Sequence, residues 1–589
     1  MSETLVLTLA AIPILGIVAQ WVAWRFRLPS IMVLLVAGIL FGPVLGFLHP
    51  DEQLGPVLLP LVQLAVAIIL FEGGLQLRFS DLKNIGKAVR NLVIVGTFVT
   101  WIAIAFGAHY FLGLQYKLAI LLGAILVVTG PTVVLPLLKY VKPKKHIASI
   151  LRWEGIVIDP IGAILAVLVF EAITVFKFNN AVMLISFSLF KTIFFGIGLA
   201  VLGGILITEV IKRHWAPEHL YEAITLSVVI GVYIGSNFIK AESGLLAVTC
   251  MGIFMANQKV IPISSIVTFK KTLAVLLLST VFIILAARLE IGDLARYLNM
   301  NSFWFLVVVV FVARPLAVIV STIGTSLKWR SKLFIAWMAP RGIVAAAVTA
   351  VFALRLEEMG FVDAKELVPI TFLVIIATVS LYGLTAFWVA RALGVMTPKK
   401  KGLLIVGANK ISRMIAKALI EEDIPVLMVD KTKDNVFDAR SEGLPVVLAD
   451  VLSSKVMRIV ESSNLEKLLA MTPNDEINLL ASMEFESIFG KRRLYRFSPD
   501  DKQVTKRAQH YGRIMFGSGI TYGYLTTKLI AGVEIKKFDI IPGFTYKRFI
   551  KEYPKAIPLF CITSNKKLLI FSKEVDLQPV VGNSIISLI

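Results

Sequence analysis

The chain is predicted to be a polytopic α-helical membrane domain of about 13 spans followed by an α/β Rossmann-like soluble domain. Three observations carry this. Apolar runs of roughly 20 residues, long enough to cross about 30 Å of hydrocarbon, recur up to about residue 393. Of the 589 residues, 57% are hydrophobic, and the mean hydropathy of +0.82 lies far outside the range of soluble globular chains. From 397–401 the composition turns soluble, and a strand–turn–helix–strand pattern follows.

The membrane domain is expected over 1–393, a linker over 394–401, a Rossmann-like half over 402–520 and a small β-rich lobe over 521–589. The net charge of +21 would suit nucleic acid. Its lysines and arginines, however, gather in the loops between spans, so the charge speaks for the lipid bilayer and orientation, with no nucleic-acid partner. Two cysteines, Cys250 and Cys561, offer neither a disulfide framework nor zinc spacing. The N-terminus lacks the basic region of a cleaved signal and is taken into the first span.

The spans fall at roughly 4–24, 28–48, 55–77, 89–112, 117–139, 147–174, 181–211, 219–239, 243–257, 270–288, 303–325, 332–355 and 367–392. With the N-terminus outside, the inside loops hold Arg25 and Arg27, Lys83 and Lys87, Lys142 to Lys145, Lys212 and Arg213, Lys270 and Lys271, and Lys328 and Arg330. The outside loops hold HPDEQ at 49–53, KFNN at 177–180 and the acidic 356–366. This alternation supports an odd count in an inner (plasma) membrane, with the C-terminal domain cytoplasmic.

Two spans are interrupted. The fifth contains Thr129, Gly130, Pro131 and Thr132, and the twelfth contains Pro340, Arg341 and Gly342. Proline removes a backbone donor and glycine loosens the helix. Taken singly, each is a kink that a membrane helix tolerates. As a pair at matching positions of an internal repeat, they point to a transporter's midplane site.

The sixth span carries two carboxylates, Glu154 and Asp159, within apolar sequence running to Phe170. A charge at that depth costs roughly 2.5–3.5 kcal/mol. Five positions apart, the two point about 140° away from each other on a helix. Arg314, in span eleven, is the obvious counter-ion for Glu154, which leaves Asp159 as the unpaired, working carboxylate. Glu72 is expected near the inner end of span three, Glu171 at the outer surface, and Lys191 and Glu209 at span ends.

Five stretches resemble the sodium/proton-exchanger branch of the cation/proton antiporter superfamily: TGPTVVLPLLKYV at 129–141, EGIVIDPIGA at 154–163, SGLLAVTCMGIFMAN at 243–257, ARPLAVIV at 313–320 and APRGIVAAAV at 339–348. The resemblance implies a homodimer with inverted repeats, two crossed broken helices and a six-helix core that moves against a dimerisation domain. It implies exchange of Na⁺ or K⁺ for H⁺ by alternating access, with Asp159 as the aspartate that binds the monovalent cation, and Thr129 and Gly130 beside it. It places the buried salt bridge on Glu154 and Arg314, and the broken-helix residues on Pro131, Pro340 and Arg341. The branch commonly has Asn before the aspartate and an acidic residue after the threonine; here these are Ile158 and Gly130. Two other readings stand beside the exchanger, a ligand-gated potassium efflux system and a membrane sensor that no longer transports. No TVGYG-type filter occurs, which favours the exchanger.

The soluble part opens with KGLLIVGANKISRM, a strand and a G-x-G-x-x-G-like turn whose second and third glycines are Asn409 and Ser412 after Gly407. Asp430 ends the second strand, where an acid can bind an adenosine ribose, and Asp450 ends the third. The region resembles a regulator-of-potassium-conductance (TrkA-N-like) domain, which implies a regulatory nucleotide, NAD(H) or an adenine nucleotide. With no substrate cleft or hydride-transfer partner legible, an enzyme is not expected.

Overall fold

In the computed structural model the chain forms two compact units, Met1–Thr397 and Pro398–Ile589. The structure describes residues 2–26, 28–174, 178–258, 260–261, 264–397, 402–499 and 511–589. Arg27, Lys177 and the 398–401 part of the expected linker lie outside the described residues.

All thirteen apolar stretches fold as helix. They are α1 Ser2–Phe26, α2 Ser30–Val44, α3 Pro50–Gly74, α4 Gly86–Leu112, the pair α5 Tyr116–Leu126 and α6 Pro131–Val141, α7 Lys145–Thr174, α8 Phe178–Lys212, α9 Tyr221–Ile239, α10 Ser243–Asn257, α11 Ser264–Ala287, α12 Met300–Ser321, the pair α13 Trp329–Trp337 and α14 Ile343–Glu358, and α15 Leu367–Ala392. Among the described residues, eight helices are long and apolar enough to cross a membrane, or nine with α5–α6 taken as one bent span. The expected count of thirteen also takes in the shorter apolar helices Ser30–Val44, Ser243–Asn257 and Thr272–Ala287 and the broken pair α13–α14. The membrane unit continues past residue 393: Lys144 N donates to Val395 O (2.8 Å) and Thr397 N to Lys142 O (2.9 Å). The end of α15 is thereby tied to the end of α6.

The soluble unit holds two sheets. β1 Gly402–Val406, β2 Val426–Asp430, β3 Val446–Leu448, β4 Leu465–Ala470, β5 Leu494–Arg496 and β6 Arg513–Ile514 form a sheet of order β3-β2-β1-β4-β5-β6, parallel throughout. Leu403 and Ile405 of β1 enter one apolar cluster, Leu404 and Val406 the other, as the two-residue repeat of a strand buried on both faces requires. Helix α16 Lys410–Glu421 follows β1 directly. The second sheet, β7 Ile535–Asp539, β8 Ile557–Ile562, β9 Leu568–Ile570 and β10 Ser584–Leu588, is antiparallel in the order β7-β10-β8-β9. The cluster under β1 runs on through Leu559, Phe560 and Ile586, so the β-rich lobe shares a core with the Rossmann-like half.

Candidate functional site

Both predicted interruptions are breaks in the backbone. Between α5 and α6 the axis bends by 42°. Pro131 occupies the first turn of α6, where a missing N–H costs nothing. Gly130 O accepts from Val133 N and Val134 N, both at 3.1 Å. Between α13 and α14, residues 338–342 leave the helix. The two breaks meet at glycine. A methyl group on Gly130 would lie 2.5 Å from Gly342 Cα, and one on Gly342 would lie 2.6 Å from Gly130 Cα. No other residue type permits that approach without moving the backbone.

Breaking a helix inside a membrane exposes carbonyls at its C-terminal end, which also carries the negative pole of its dipole. Two arginines answer this. Arg341, in the second break, donates from Nη1 to Val127 O (2.9 Å) and Val128 O (3.4 Å) at the end of α5. Arg314, on α12, donates to Ile335 O (3.2 and 3.1 Å) and Met338 O (3.2 Å) at the end of α13. Its guanidinium also grips Glu154 with two parallel bonds, Nη1 to Oε1 and Nη2 to Oε2 at 2.9 Å. Glu154, Arg314 and the α13 terminus are therefore one bonded unit.

Asp159 is treated differently by its surroundings. It is 0% exposed, and among the described residues neither carboxylate oxygen has a hydrogen-bond partner. Its direction follows from its neighbours on α7. A methyl group on Gly155 would sit 3.4 Å from Thr129 O and 3.7 Å from Pro131 Cα, and one on Gly162 would sit 2.3 Å from Val128 Cγ2. Positions 155, 159 and 162 share one helical face, so Asp159 is carried on the face that packs against the first break. The N-terminus of α6 there has no side-chain cap, and its positive pole favours an anion. A carboxylate without protein donors at this depth is a place for a proton or a desolvated cation.

A cavity of about 490 Å³ runs along α6 from Lys139 and Tyr140 to Pro131 and Thr132, and is also lined by Gln20 of α1 and by Gln76 in the turn after α3. Thr132 Oγ1 is buried at its inner end without a partner among the described residues. The Lys139 and Tyr140 end lies beside the 142–144 and 395–397 contacts, the side from which the chain leaves the membrane unit. Glu72 lines the same cavity. A separate void of about 10 Å³ lies between Thr97, Thr100, Thr129, Glu154, Arg314 and Arg341. Thr97 and Thr100 were not among the sequence-derived candidates; two threonines three apart in an apolar span were the available signal. Thr378 is a further addition, its Oγ1 accepting from Arg341 N at 3.3 Å. Glu171 binds Lys240 and accepts from Ser188 Oγ (2.9 Å), while Glu209 holds Arg213 at 2.6 Å.

In the soluble unit the turn after β1 bonds to itself. Gly407 adopts φ +99°. Asp430 Oδ2 accepts from Ala408 N (2.7 Å) and Asn435 Nδ2 (2.9 Å), and Oδ1 from Thr432 N (2.8 Å). Asn409 caps α16, its Oδ1 accepting from Ser412 N (3.1 Å) and Ser412 Oγ (3.2 Å) while Nδ2 donates to Met471 O (2.6 Å). Asp450 is exposed beyond β3 and closes its own turn through Leu452 N (2.9 Å). A carboxylate offers about four acceptor positions, so Asp430 retains room for a ribose hydroxyl. The helix N-terminus, where a diphosphate would rest, is instead occupied by Asn409. The site fits an adenosine end and not a diphosphate laid on α16.

Comparison with known proteins follows the same division. The family "Sodium/hydrogen exchanger, transmembrane" matches residues 10–392, and the TrkA-N domain matches 403–508. The chain is 25% identical over 365 residues to Na(+)/H(+) antiporter 1 of Methanocaldococcus jannaschii, covering 58% of this chain and 82% of that one. It is 26% identical over 432 residues to the K(+)/H(+) antiporter NhaP of Alkalimonas amylolytica, covering 72% and 73%. The solved structure of the sodium proton antiporter MjNhaP1 from Methanocaldococcus jannaschii at pH 8 shares the fold, with a TM-score of 0.57 and 24% identity over 66% of this chain and 99% of that chain.

Proposed function

Because the chain belongs to the sodium/hydrogen exchanger family, we propose that it exchanges a monovalent cation, Na⁺ or K⁺, for H⁺ by alternating access, with Asp159 carrying one or the other in turn. The observation that carries the assignment is the Asp159 carboxylate, fully buried without a partner among the described residues on the helix face against the first break. Thr129 and the half-helix ends supply the remaining oxygens, with water in place of the Asn and acidic neighbours that Ile158 and Gly130 replace. Proton and cation compete for one carboxylate, so loading with either discharges the other.

Glu154 and Arg314 stay paired and ionised through the cycle, since separating them would leave two buried charges. One titrating group then moves one cation per proton, and exchange is electroneutral. In this reading the protein is a homodimer through both domains. The N-terminus is outside and the TrkA-N domain cytoplasmic, so the wide cavity is the cytoplasmic entrance. A nucleotide held through its ribose at Asp430 would bias the transporter between its states by binding one better than the other; isothermal titration of the whole protein with NADH, NAD⁺, ATP and AMP measures it.

The deciding experiment is a pH-gradient assay in proteoliposomes with Na⁺, K⁺ and Li⁺, comparing wild type with Asp159→Asn. Equal activity in the two would sink the site assignment, and no response to any cation would leave the sensor reading. A current driven by the cation gradient without counter-flux would contradict electroneutrality.

A further inference from the structure

The cavity along α6 reaches the crossing from one side only. On the other side, α14 leaves the second break and ends at Glu358; after a turn, α15 returns over 26 residues to the side where the chain exits. The last turns of α14 therefore lie on the face opposite the wide cavity. Toward that face the structure holds a small void of about 20 Å³, bounded by Gln63 of α3, Tyr233 of α9, Glu242 before α10, and the stripe Val344, Ala347 and Val348 of α14. That stripe begins two residues after Gly342. The void has space for about one water.

Glu242 is set there at a cost. Its backbone is left-handed, φ +65° and ψ 0°, a conformation that suits Gly or Asn and is strained for Glu. Such strain gathers where a side chain has a task. The carboxylate is half-buried, and among the described residues no hydrogen bond or ion pair closes on it. The charged groups around it leave it available. Lys240, two residues earlier, is bound away to Glu171, and Arg355 faces it from α14 without pairing.

We propose that Glu242 is the gate carboxylate of the access path on the face opposite the α6 cavity, collecting the cation that exchanges with Asp159 from that side. In the conformation seen here, Val344, Ala347 and Val348 close the path. Movement of α14 away from α3 and α10 opens the void onto Glu242, with the Gln63 amide and Tyr233 hydroxyl as neutral oxygens beside it. The proposal deepens the antiport reading and rests on it.

The test is sided kinetics of the full-length protein in right-side-out and inside-out membrane vesicles, with Na⁺ and K⁺ titrated separately at each face. Glu242→Gln is expected to raise the half-saturating cation concentration about tenfold on the face opposite Thr397 and to leave the other face unchanged. Glu242→Gly relieves the backbone strain and is expected to melt no lower than wild type while showing the same one-sided loss. Unchanged kinetics at both faces, an equal change at both, or wild-type exchange in the glycine variant would overturn the proposal. Exchange surviving in Asp159→Asn would remove the antiport reading and this proposal with it, whereas loss of the sidedness alone removes only this proposal.

Discussion

The crossing of the broken helices and the turn after β1 are built from the same parts, a glycine turn, a helix N-terminus and an aspartate, and they are finished in opposite ways. In the soluble turn each part is bonded by the chain itself: Asn409 caps α16, and Asp430 accepts three local donors. At the crossing the C-terminal ends of α5 and α13 are capped by Arg341 and Arg314, while Asp159 is left with no donor among the described residues. A satisfied polar group stabilises; a buried unsatisfied one is a standing cost that only a bound proton or ion relieves. The contrast supports the role proposed for Asp159, and it leaves the soluble turn with fewer unbonded donors and acceptors than the crossing.

A series of substitutions probes that contrast, the largest effect first. Asp159→Asn removes a buried carboxylate with no partner among the described residues and is expected to abolish exchange in the pH-gradient assay while leaving thermal unfolding in detergent at or above the wild-type temperature, since an isolated buried carboxylate stabilises nothing. If exchange disappears only together with the fold, Asp159 belongs with the satisfied groups. Arg314→Met strands Glu154 and uncaps α13; a loss of about 3–5 kcal/mol is expected, read as a lower unfolding temperature or lost expression, with partial recovery in Glu154→Gln/Arg314→Met.

Gly342→Ala brings a methyl group to 2.6 Å from Gly130 Cα. The crossing must spread, at about 1–3 kcal/mol, and exchange should fall by more than stability does; a fall in stability alone would make the contact mere packing. Asn409→Ala is the mildest, about 1 kcal/mol from the lost helix cap, seen as faster hydrogen exchange in the first turn of α16 with membrane transport intact. In the same position, Asn409→Gly is expected to reopen the helix end to a diphosphate, so that calorimetry with NADH gives tighter binding than wild type. Equal affinity in the two would show that Asn409 is not what fills the site.

Much of this was legible in the chain. Asp159 and Glu154 stand out because ionisable groups are expensive in apolar sequence. Pro131 and Pro340 announce breaks because proline lacks a donor, and the first soluble strands are short apolar runs bounded by turn residues. Less was legible about partners. Thr97, Thr100 and Thr378 reach the site from α4 and α15, far away in sequence; Thr97 and Thr378 also bond their own helices, at Val93 O (2.5 Å) and Val374 O (2.7 Å), so no local pattern marks them out. The helix count is a similar case. Hydropathy marks thirteen apolar stretches, but α10 and the described part of α11 are short, so length by itself accounts for eight spans or nine.

The sequence by itself determined the membrane class, the two-part organisation, the two breaks and the short list of charges that must be buried, because each is a local consequence of desolvation cost or backbone chemistry. Tertiary structure alone decided how those pieces face one another. It set Gly130 against Gly342, turned Gly155, Asp159 and Gly162 toward the first break, assigned Arg341 to the end of α5, and left Glu242 in a left-handed turn beside a small void. These are matters of rotation and contact between distant segments, and the balance of caps, pairs and unpartnered carboxylates exists only once they are packed.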